Sequence, residues 1–250
     1  KDRDDHHLRS ARADYAKARE GLDALALEGK PGSQVHPQFV AKVLSELAAD
    51  DAVFACDVGT PTVWAARYLA MNGKRRLLGS FTHASMANAL PQAIGAQAAY
   101  PGRQVIAMSG DGGLAMLLGE LLTLGQLDLP VKIVLFKNDS LGFVNLEMLS
   151  AGFLDFATDL KNPDFAGLAT SAGLLGISVT SPEQVRPAIT QALHHPGPAL
   201  VEVSVSRQEI VLPPSIDLEL VRKFGLFVVR AVLSGRGDEV VDLAKTTLWR

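Results

Sequence analysis

Cysteine and long apolar segments are scarce in this sequence. Cys56 is its single cysteine, which excludes a disulfide framework and a cysteine-based zinc site. No apolar run approaches the roughly 20 residues that cross a bilayer, and no apolar secretory segment opens the chain. We therefore expect a protein of a reducing, cytoplasmic compartment that neither spans a membrane nor is exported.

An excess of charge of either sign is also absent. The 250 residues carry 24 Lys and Arg against 27 Asp and Glu, a formal net charge of −3, which creates no field that would gather nucleic acid. Aromatic residues make up only 6%, but 48% of the side chains are hydrophobic and 20% are charged. This composition argues against disorder. It predicts one large or two small domains with an apolar core and no nucleic-acid partner.

The first 30 residues differ from the rest. They hold seven bases and seven acids, and apolar residues recur among them at spacings of three and four, which predicts one amphipathic helix. Gly29–Gly32, with Pro31, indicates a linker after it. The chain begins at Lys1 without a methionine, so we expect a part of a longer polypeptide. The apolar positions of the helix are Leu8, Ala11, Tyr15, Ala18, Leu22 and Leu25.

Residues 36–205 show the pattern of an α/β domain. Short apolar segments alternate with helical segments, and most of the apolar segments lack period-two alternation, as expected for parallel strands covered on both faces. Cys56 ends the first of them and is expected to be buried and inert. Ligands of such sheets bind beyond the carboxyl ends of the strands. The predicted strands are 53–56, 76–79, 104–109, 132–136, 176–180 and 199–205, and the predicted helices are 37–49, 62–71, 87–99, 114–127, 164–172 and 182–194.

Two glycine turns follow predicted strands. Asp57–Thr62 comes after the first strand and Gly110–Gly113 after the third. Such turns expose backbone N–H groups that can bind a diphosphate, although turn geometry alone also explains the glycines. The second turn matches neither the dinucleotide fingerprint nor a Walker loop. It leaves Asp111 as a glycine-flanked carboxylate at the mouth of the sheet, which suits a divalent cation such as Mg²⁺.

A third candidate segment follows the fourth strand. Twenty-five residues separate Gly112 from Asn138, enough for one helix and one strand that returns to the same edge of the sheet. Asp111 and Asn138 are therefore expected to face each other. With a nearby backbone carbonyl, two diphosphate oxygens and a water, they would complete an octahedral shell around Mg²⁺.

The Gly110-Asp111-Gly112 sequence, followed at this distance by Asn138, resembles the motif of the thiamine-diphosphate enzymes. The resemblance implies an α/β protein with the three-layer, parallel-sheet thiamine-diphosphate-binding fold and a C-terminal amphipathic helical tail. Within that superfamily the chain is similar to the C-terminal part of the bacterial pyruvate oxidases, the quinone-dependent pyruvate dehydrogenases. The segments that carry this similarity are Cys56–Tyr68, Gly79–Phe81, Ser85–Ala89 and Ser234–Val240. The last of them, Ser234–Val240, favours the oxidases over the acetolactate synthases.

The resemblance implies a metal site and a cofactor site. Asp111, Asn138 and the backbone oxygen of Ser140 would bind Mg²⁺. The residues that would bind thiamine diphosphate are Asp57, Gly59, Thr60, Ala84, Ser85, Met86, Asp111, Gly112, Gly113, Asn138, Asp139, Ser140, Leu141, Gly142, Phe143 and Val144.

Several positions carry a more specific expectation from the resemblance. Met86 would lie under the bent cofactor, although packing in the core is an ordinary role for methionine. Phe143 would assist electron transfer to flavin, the alternative being a loop residue that covers the core. Ala84 stands where relatives have glycine, a small change unless the backbone there needs a positive φ. Lys137 stands where the family often has a first asparagine, and Asn138 is then the metal ligand.

By the same resemblance the complete enzyme is an oxidoreductase. It would decarboxylate pyruvate oxidatively to acetate and CO₂ with thiamine diphosphate and Mg²⁺, and would pass electrons through FAD to ubiquinone. It would be a homo-oligomer, expected to be a tetramer. The glutamate that activates the cofactor and the FAD domain would lie outside this chain, so we expect the isolated chain to be inactive. Residues 1–30 would then be a linker helix from a missing FAD domain, and residues 31–208 the cofactor domain.

Residues 209–250 form the predicted tail. Six bases balance six acids there, so attachment to a bilayer would rest on apolar area. Packing on the protein itself is the alternative from the pattern alone. The resemblance instead implies binding to membrane lipid and a peripheral location on the inner face of the cell membrane. The apolar positions are Val221, Phe224, Phe227, Val228, Ala231 and Val232 in a first helical segment and Val240, Val241, Ala244, Leu248 and Trp249 in a second.

Two other functions stay open. A carboligase of the acetolactate synthase type shares the diphosphate motif and would be distinguished by its product. A non-catalytic module that binds the cofactor or a partner would be distinguished by the sequence upstream of Lys1.

Overall fold

The computed structural model describes residues 5–207, 209, 218–238 and 240–241. These residues form six strands and ten helices. The strands are β1 Val53–Cys56, β2 Arg76–Leu78, β3 Val105–Gly110, β4 Lys132–Lys137, β5 Leu175–Val179 and β6 Ala199–Ser204. The helices are α1 His6–Leu25, α2 Pro37–Leu47, α3 Thr60–Tyr68, α4 Ala89–Ala99, α5 Asp111–Met116, α6 Glu120–Gln126, α7 Gly142–Ser150, α8 Phe165–Ser171, α9 Pro182–His194 and α10 Leu218–Leu233.

The described strands form one parallel sheet in the order β2-β1-β3-β4-β6-β5. The chain runs from β1 outward to β2 and then returns to β3 on the other side of β1. A crevice opens at such a reversal, beyond the carboxyl ends of β1 and β3. Because β4 is the next neighbour of β3, the three turns singled out in the sequence all lie at this one edge.

Helices cover both faces of the sheet, and alternate strand residues face the two layers. Phe54 and Cys56 of β1 belong to the apolar layer that contains α2, α3 and α9, whereas Val53 and Ala55 belong to the layer that contains α4, α5, α6 and α8. Since both layers bury apolar side chains, β1, β3 and β4 read as continuous apolar runs. The predicted three-layer α/β fold is confirmed.

One helix prediction is wrong, and one helix was not predicted. The predicted helix 114–127 is two helices, because α5 already starts at Asp111 and Leu117 leaves the helical region with φ −125° and ψ 36°. Gly119, a poor helix former, follows before α6 begins. Helix α7 was not predicted, since the residues around Gly142 were assigned only to the loop of the site and the apolar residues beyond show no clear helical period.

Helix α1 has no buried residue. Leu8 is 55% and Tyr15 is 68% exposed, so the described part of the chain covers the predicted apolar stripe only near its C-terminal end, where Leu22 packs against the core. Only the C-terminal end of α1 is attached. The Tyr68 hydroxyl donates to the Leu22 carbonyl at 3.1 Å, and the Arg19 guanidinium lies 5.5 Å from the centre of the Tyr68 ring.

Helix α10 is the first predicted segment of the tail, and its apolar face packs on the protein itself. Phe227 and Ala231 are buried, with Leu149 and Leu154 packed against them. Phe224, Val228 and Val240 join this cluster, whereas Val232 and Val241 are exposed. The side chain of Val221 and all of Ala244, Leu248 and Trp249 lie outside the described residues. In the part of the chain that the structure describes, no helix is both long enough and apolar enough to cross a membrane.

Cys56 should be unreactive in the folded protein. It is fully buried at the end of β1, and burial raises the pKa of its thiol to about 11. Because the thiolate is the reactive form, we expect it to react with a disulfide reagent at about pH 8 at least about 100-fold more slowly than a free thiol. Unfolding in denaturant should release one reactive thiol. Fast reaction of the native protein in a thiol-titration assay would contradict the burial of this strand end.

Candidate functional site

The loops that follow β1, β3 and β4 line one cleft at the carboxyl edge of the sheet, with a volume of about 220 Å³. Val58–Pro61 comes from the first loop, Gly110–Gly113 from the second, and Asn138 with Ser140–Val144 from the third. Ala84 and Met86 reach the same cleft from the segment between β2 and α4. The structure therefore brings together most of the residues predicted from the sequence.

Two predicted residues do not line the cleft. Ser85 is exposed, with its Oγ 3.0 Å from that of Ser80, and the Asp139 carboxylate contacts Lys137 and Asn162 instead. The sequence prediction also missed four lining residues, three of which lie within the two glycine turns already singled out, so extending the prediction to every residue of those turns would have found these three. These four are Val58, Pro61, Gly110 and Phe136.

The Asp111 carboxylate is buried, with only 2% of the residue exposed, and four N–H groups hold it. Its Oδ2 accepts from the backbone N–H of Asn138 at 3.1 Å, from that of Asp139 at 2.7 Å and from Nδ2 of Asn162 at 2.8 Å. Its Oδ1 accepts from the Gly112 N–H at 2.9 Å. The β4 loop thus lies directly against Asp111, as the spacing of the two segments predicted.

The arrangement around Asp111 fits a hard divalent cation. A carboxylate has about four lone-pair sites, and Oδ1 accepts a single hydrogen bond, which leaves this atom free to bind a cation. Burial raises the pKa of the Asp111 carboxyl above its ordinary value, although the N–H groups of Asp139 and Gly112 oppose the rise. A cation beside Oδ1 would offset this cost of burying the charged form.

Asn138 and Ser140 offer oxygens on the same loop. Oδ1 of Asn138 accepts from the Ser140 N–H at 3.2 Å, and the Ser140 carbonyl accepts from the Gly142 N–H at 2.9 Å. Each oxygen keeps a second lone pair, and such oxygens are the ligands that Mg²⁺ prefers. Within the described ranges, no group of three or more His, Cys, Asp and Glu side chains could hold a metal ion. A cation here would therefore also need oxygens from a molecule bound in the cleft.

Gly112 and Gly113 leave the floor of the cleft open. A Cβ on Gly112 would lie 3.0 Å from Cδ2 of Leu141 and 3.3 Å from Cε of Met86. A Cβ on Gly113 would lie only 2.3 Å from Oδ2 of Asp57. A side chain at Gly112 would fill the floor of the cleft and one at Gly113 would collide with a buried carboxylate, so only glycine fits at both positions.

Asp57 lines the cleft and also holds the neighbouring helix α4 in place. It is 2% exposed, and its Oδ1 accepts at 2.8 Å from the N–H of Ala89, the first residue of α4. Burial raises the pKa of this carboxyl, and the Ala89 N–H opposes the rise. Asp57 therefore fixes the start of α4 to the end of β1, while Gly59 and Thr60 of the same loop lie in the cleft wall.

Two side chains of the cleft had an alternative role in the core. Met86 is 36% exposed and lines the cleft, so packing in the core does not describe it. Phe143 lies in the first turn of α7, is partly exposed and also lines the cleft. Its role in electron transfer stays a prediction.

The segment before α4 is strained. Ala84 has φ 53° and Ala87 has φ 64°, in the left-handed region that costs a non-glycine residue about 1–2 kcal/mol. Ala84 is the position where glycine was expected, so the extra methyl group falls where the backbone needs a positive φ.

Replacing Ala84 by glycine should therefore stabilise the protein slightly. The relief of strain exceeds the added chain entropy of glycine, so we expect a gain of about 0.5 kcal/mol, measured as the shift in the midpoint of thermal unfolding. Ala151 is a matched control, because it is also exposed but has φ −84°. Ala151→Gly should destabilise the protein by about 0.5–1 kcal/mol. Equal effects of the two substitutions would contradict strain at Ala84.

Asn162 is the residue of the site that sequence reasoning missed. It precedes α8, whose N-terminus is capped by Asp164 through a hydrogen bond from the Gly167 N–H at 2.8 Å. Polar residues in this position are ordinary before a helix, and no spacing rule connects Asn162 with Asp111. Only the packed structure shows that its amide reaches that carboxylate.

Comparison with known proteins identifies the family. The C-terminal, thiamine-pyrophosphate-binding domain of the thiamine pyrophosphate enzymes matches residues 57–203. The chain is 37% identical over 219 residues to the thiamine pyrophosphate-containing protein YdaP of Bacillus subtilis, covering 88% of this chain and 38% of that protein.

Two acetolactate synthases are also similar. The large subunit of isozyme 2 from Escherichia coli is 35% identical over 185 residues, which cover 73% of this chain and 34% of the relative. The large subunit from Parasynechococcus marenigrum is 37% identical over 184 residues, which cover 72% and 29%. The chain thus spans roughly a third of the length of these relatives. Because the family match covers the cleft and most of the sheet, this chain belongs to the thiamine pyrophosphate enzymes and contains their C-terminal cofactor-binding domain.

Proposed function

We propose that this chain supplies the diphosphate- and Mg²⁺-binding part of the active site of a carboligase like the acetolactate synthases. Such an enzyme decarboxylates one pyruvate and joins the remaining two-carbon unit to a second pyruvate, giving acetolactate and CO₂. The observation that carries the cofactor part is the contact of Asp111 with the β4 loop beside an open glycine floor. The acetolactate synthases among the relatives support the carboligase part.

The residues of the cleft would divide the binding work. Asp111, Asn138 and the Ser140 carbonyl would bind Mg²⁺, and the backbone at 112–113 would leave space for the diphosphate. Met86, whose Cε lies close to Gly112, would support the ring end of the cofactor. When bound, the cofactor supplies the nucleophile and the electron sink for the decarboxylation of a 2-oxo acid. The protein residues hold it in place and balance the charge of its diphosphate.

The rest of the active site would come from outside this chain. Asp57 and Asp111 are the carboxylates that line the cleft, and neither is a glutamate. We assign the glutamate that activates the cofactor, and an FAD site, to another part of the full-length protein. We also propose a cytoplasmic homotetramer, as the resemblance to this family implies.

One observation favours a second candidate, the pyruvate oxidase reaction. Helix α10 is seated on α7, and α7 begins in the cleft with Gly142–Val144. Because α10 contacts the helix that begins in the cleft, a change in the cleft during the reaction could alter the position of the tail. This suits an enzyme that binds the membrane only when it is turning over substrate. In this candidate pyruvate is oxidised to acetate and CO₂, electrons pass through FAD to ubiquinone, and residues 209–250 bind lipid on the inner face of the cell membrane.

Product analysis of the full-length protein with pyruvate, thiamine diphosphate, Mg²⁺ and FAD tests the proposal. The carboligase should form acetolactate and CO₂ in equal amounts without reducing a ubiquinone analogue. Acetate formed in step with quinone reduction would replace the carboligase by the oxidase. Cofactor binding without consumption of pyruvate would instead indicate a non-catalytic module. For the tail, equal flotation with liposomes before and after deletion of residues 228–250 would reject lipid binding.

A further inference from the structure

Asn162 lies between two carboxylates at the edge of the cleft. Its Nδ2 donates to Oδ2 of Asp111 at 2.8 Å and to Oδ1 of Asp139 at 2.8 Å. An amide NH₂ group has two donors, and here each of them is used on a different carboxylate. Asn162 therefore joins the predicted metal ligand to the β4 loop.

The segment that carries Asn162 is itself fixed to that loop. The Leu141 N–H donates to the Thr158 carbonyl at 2.8 Å, and the Leu160 N–H donates to the Asp139 carbonyl at 3.0 Å. Ser140 and Asp159 form an antiparallel bridge between these contacts. Residues 158–160 thus run beside the loop like a short extra strand, and they bring Asn162 to a defined place next to Asp111.

The second partner of Asn162 is anchored as well. The Asp139 carboxylate lies 3.2 Å from Nζ of Lys137, which is also 3.9 Å from the Glu202 carboxylate. Glu202 is 6% exposed on β6, and its Oε2 accepts from the Ala166 N–H at 2.9 Å. Asp139 is therefore held between Lys137 and Asn162, and it gives the Asn162 amide a stable second contact.

The consequence for Asp111 is a fixed orientation of its carboxylate. A partial rotation about the Cβ–Cγ bond would tilt the plane of the carboxylate and draw Oδ2 away from three N–H groups. Two of these donors belong to the loop that must also present Asn138 and Ser140 to the cation. Only the Asn162 donor comes from outside that loop, and because residues 158–160 pair with the loop, Asn162 holds the carboxylate at a fixed position relative to the loop.

We propose that Asn162 is a positioning residue for the cation, which keeps Oδ2 of Asp111 occupied and Oδ1 directed to the metal. This inference rests on the proposed cofactor function of the cleft. Residues that orient a metal ligand in this way change metal affinity by about 10–100-fold when they are removed. Asn162 contacts neither cation nor substrate in this role, and it acts through Asp111.

Mg²⁺ titration of the full-length protein at a fixed thiamine diphosphate concentration tests the role, with intrinsic fluorescence as the signal and no substrate present. Asn162→Ala should raise the Mg²⁺ concentration at half-saturation by about 10–100-fold, while turnover at saturating Mg²⁺ stays within about twofold of the unsubstituted enzyme. Asn162→His should recover part of the affinity, because its Nδ1 lies the same number of bonds from the backbone and can donate.

Asn145→Ala is the matched control. The Asn145 amide also donates to the 158–162 segment, to the Thr158 hydroxyl at 3.5 Å. Asn145→Ala should leave the half-saturating Mg²⁺ concentration within about twofold of that of the unsubstituted protein. Unchanged Mg²⁺ half-saturation in Asn162→Ala would overturn the positioning role alone, and so would a lower unfolding midpoint without a change in Mg²⁺ affinity. Absence of Mg²⁺-dependent cofactor binding in the unsubstituted protein would overturn the proposed function as well.

Discussion

Replacing Asp111 by asparagine should weaken Mg²⁺-dependent binding of thiamine diphosphate by at least about 100-fold. The new side chain must keep its oxygen toward the three N–H groups that now meet Oδ2. Its NH₂ group then stands in the place of Oδ1, where it opposes the Gly112 N–H and cannot bind a cation. Calorimetric titration with the cofactor at saturating Mg²⁺ measures the loss.

The stability of the ligand-free protein separates this loss from misfolding. Burial raises the pKa of the Asp111 carboxyl, which means that its negative charge is costly in the folded state. Because the asparagine variant loses this cost together with the charge, its free energy of unfolding should stay within about 1 kcal/mol of that of the unsubstituted protein. A ligand at 100 times its dissociation constant stabilises a protein by about 2.7 kcal/mol, and this gain should vanish in the variant.

Asp159→Asn is the matched control for Asp111. The Asp159 side chain is 71% exposed and pairs with Arg207 at the surface, so this variant should keep both the affinity and the gain in stability. Cofactor affinity within about threefold of the unsubstituted protein in Asp111→Asn would reject the metal site.

Replacing Arg75 by methionine should lower the free energy of unfolding by about 3 kcal/mol. Arg75 is 7% exposed, and its guanidinium donates to the carbonyls of Ala48 at 2.6 Å, Ala49 at 3.1 Å and Ala70 at 3.0 Å. Ala48 is the C-cap of α2, where a cation also interacts favourably with the helix dipole. Methionine fills much of the space but leaves these buried carbonyls unpaired. Urea unfolding followed by circular dichroism measures the change.

The neighbouring arginine gives the control for Arg75. Arg76 is exposed and donates at 2.9 Å to the carbonyl of Gly73, so Arg76→Met should change the free energy of unfolding by no more than about 0.5 kcal/mol. Arg75→Lys keeps the charge but loses the planar fork and should fall between the two. Equal stability of the Arg75 and Arg76 methionine variants would show that Arg75 does not join these segments.

The sheet and the main contact of the site could be predicted because both depend on local pattern and chain length. All six strands are apolar runs between turn residues, and the structure shifts their ends by one residue at most. The approach of Asn138 to Asp111 follows from a crossover of fixed length between neighbouring parallel strands. Nothing beyond the sequence is needed for either conclusion.

Other parts of the site depend on long-range packing and could not be predicted. Asp57 holds the first N–H of α4, a cap supplied by a different strand loop, which no N-cap rule detects. Asn162 reaches Asp111 only because residues 158–160 pair with the β4 loop. The positive φ of Ala84 is likewise set by the packing of its segment, since alanine by itself disfavours that conformation.

The parts of the site leave the ribosome one after another during synthesis, and the partners of Asp111 come late in this order. A ribosome releases β1 and β3 first, but the partners of the Asp111 carboxylate come from the β4 loop and from Asn162. Parallel strands pair through long crossovers, which makes such contacts late and slow events in folding. A nascent chain that ends before Asn162 can already contain every glycine of the cleft floor and the loop of β4. It still lacks β6, the sheet partner of β4, as well as the donor from Asn162, so cofactor binding should begin only after these segments have emerged.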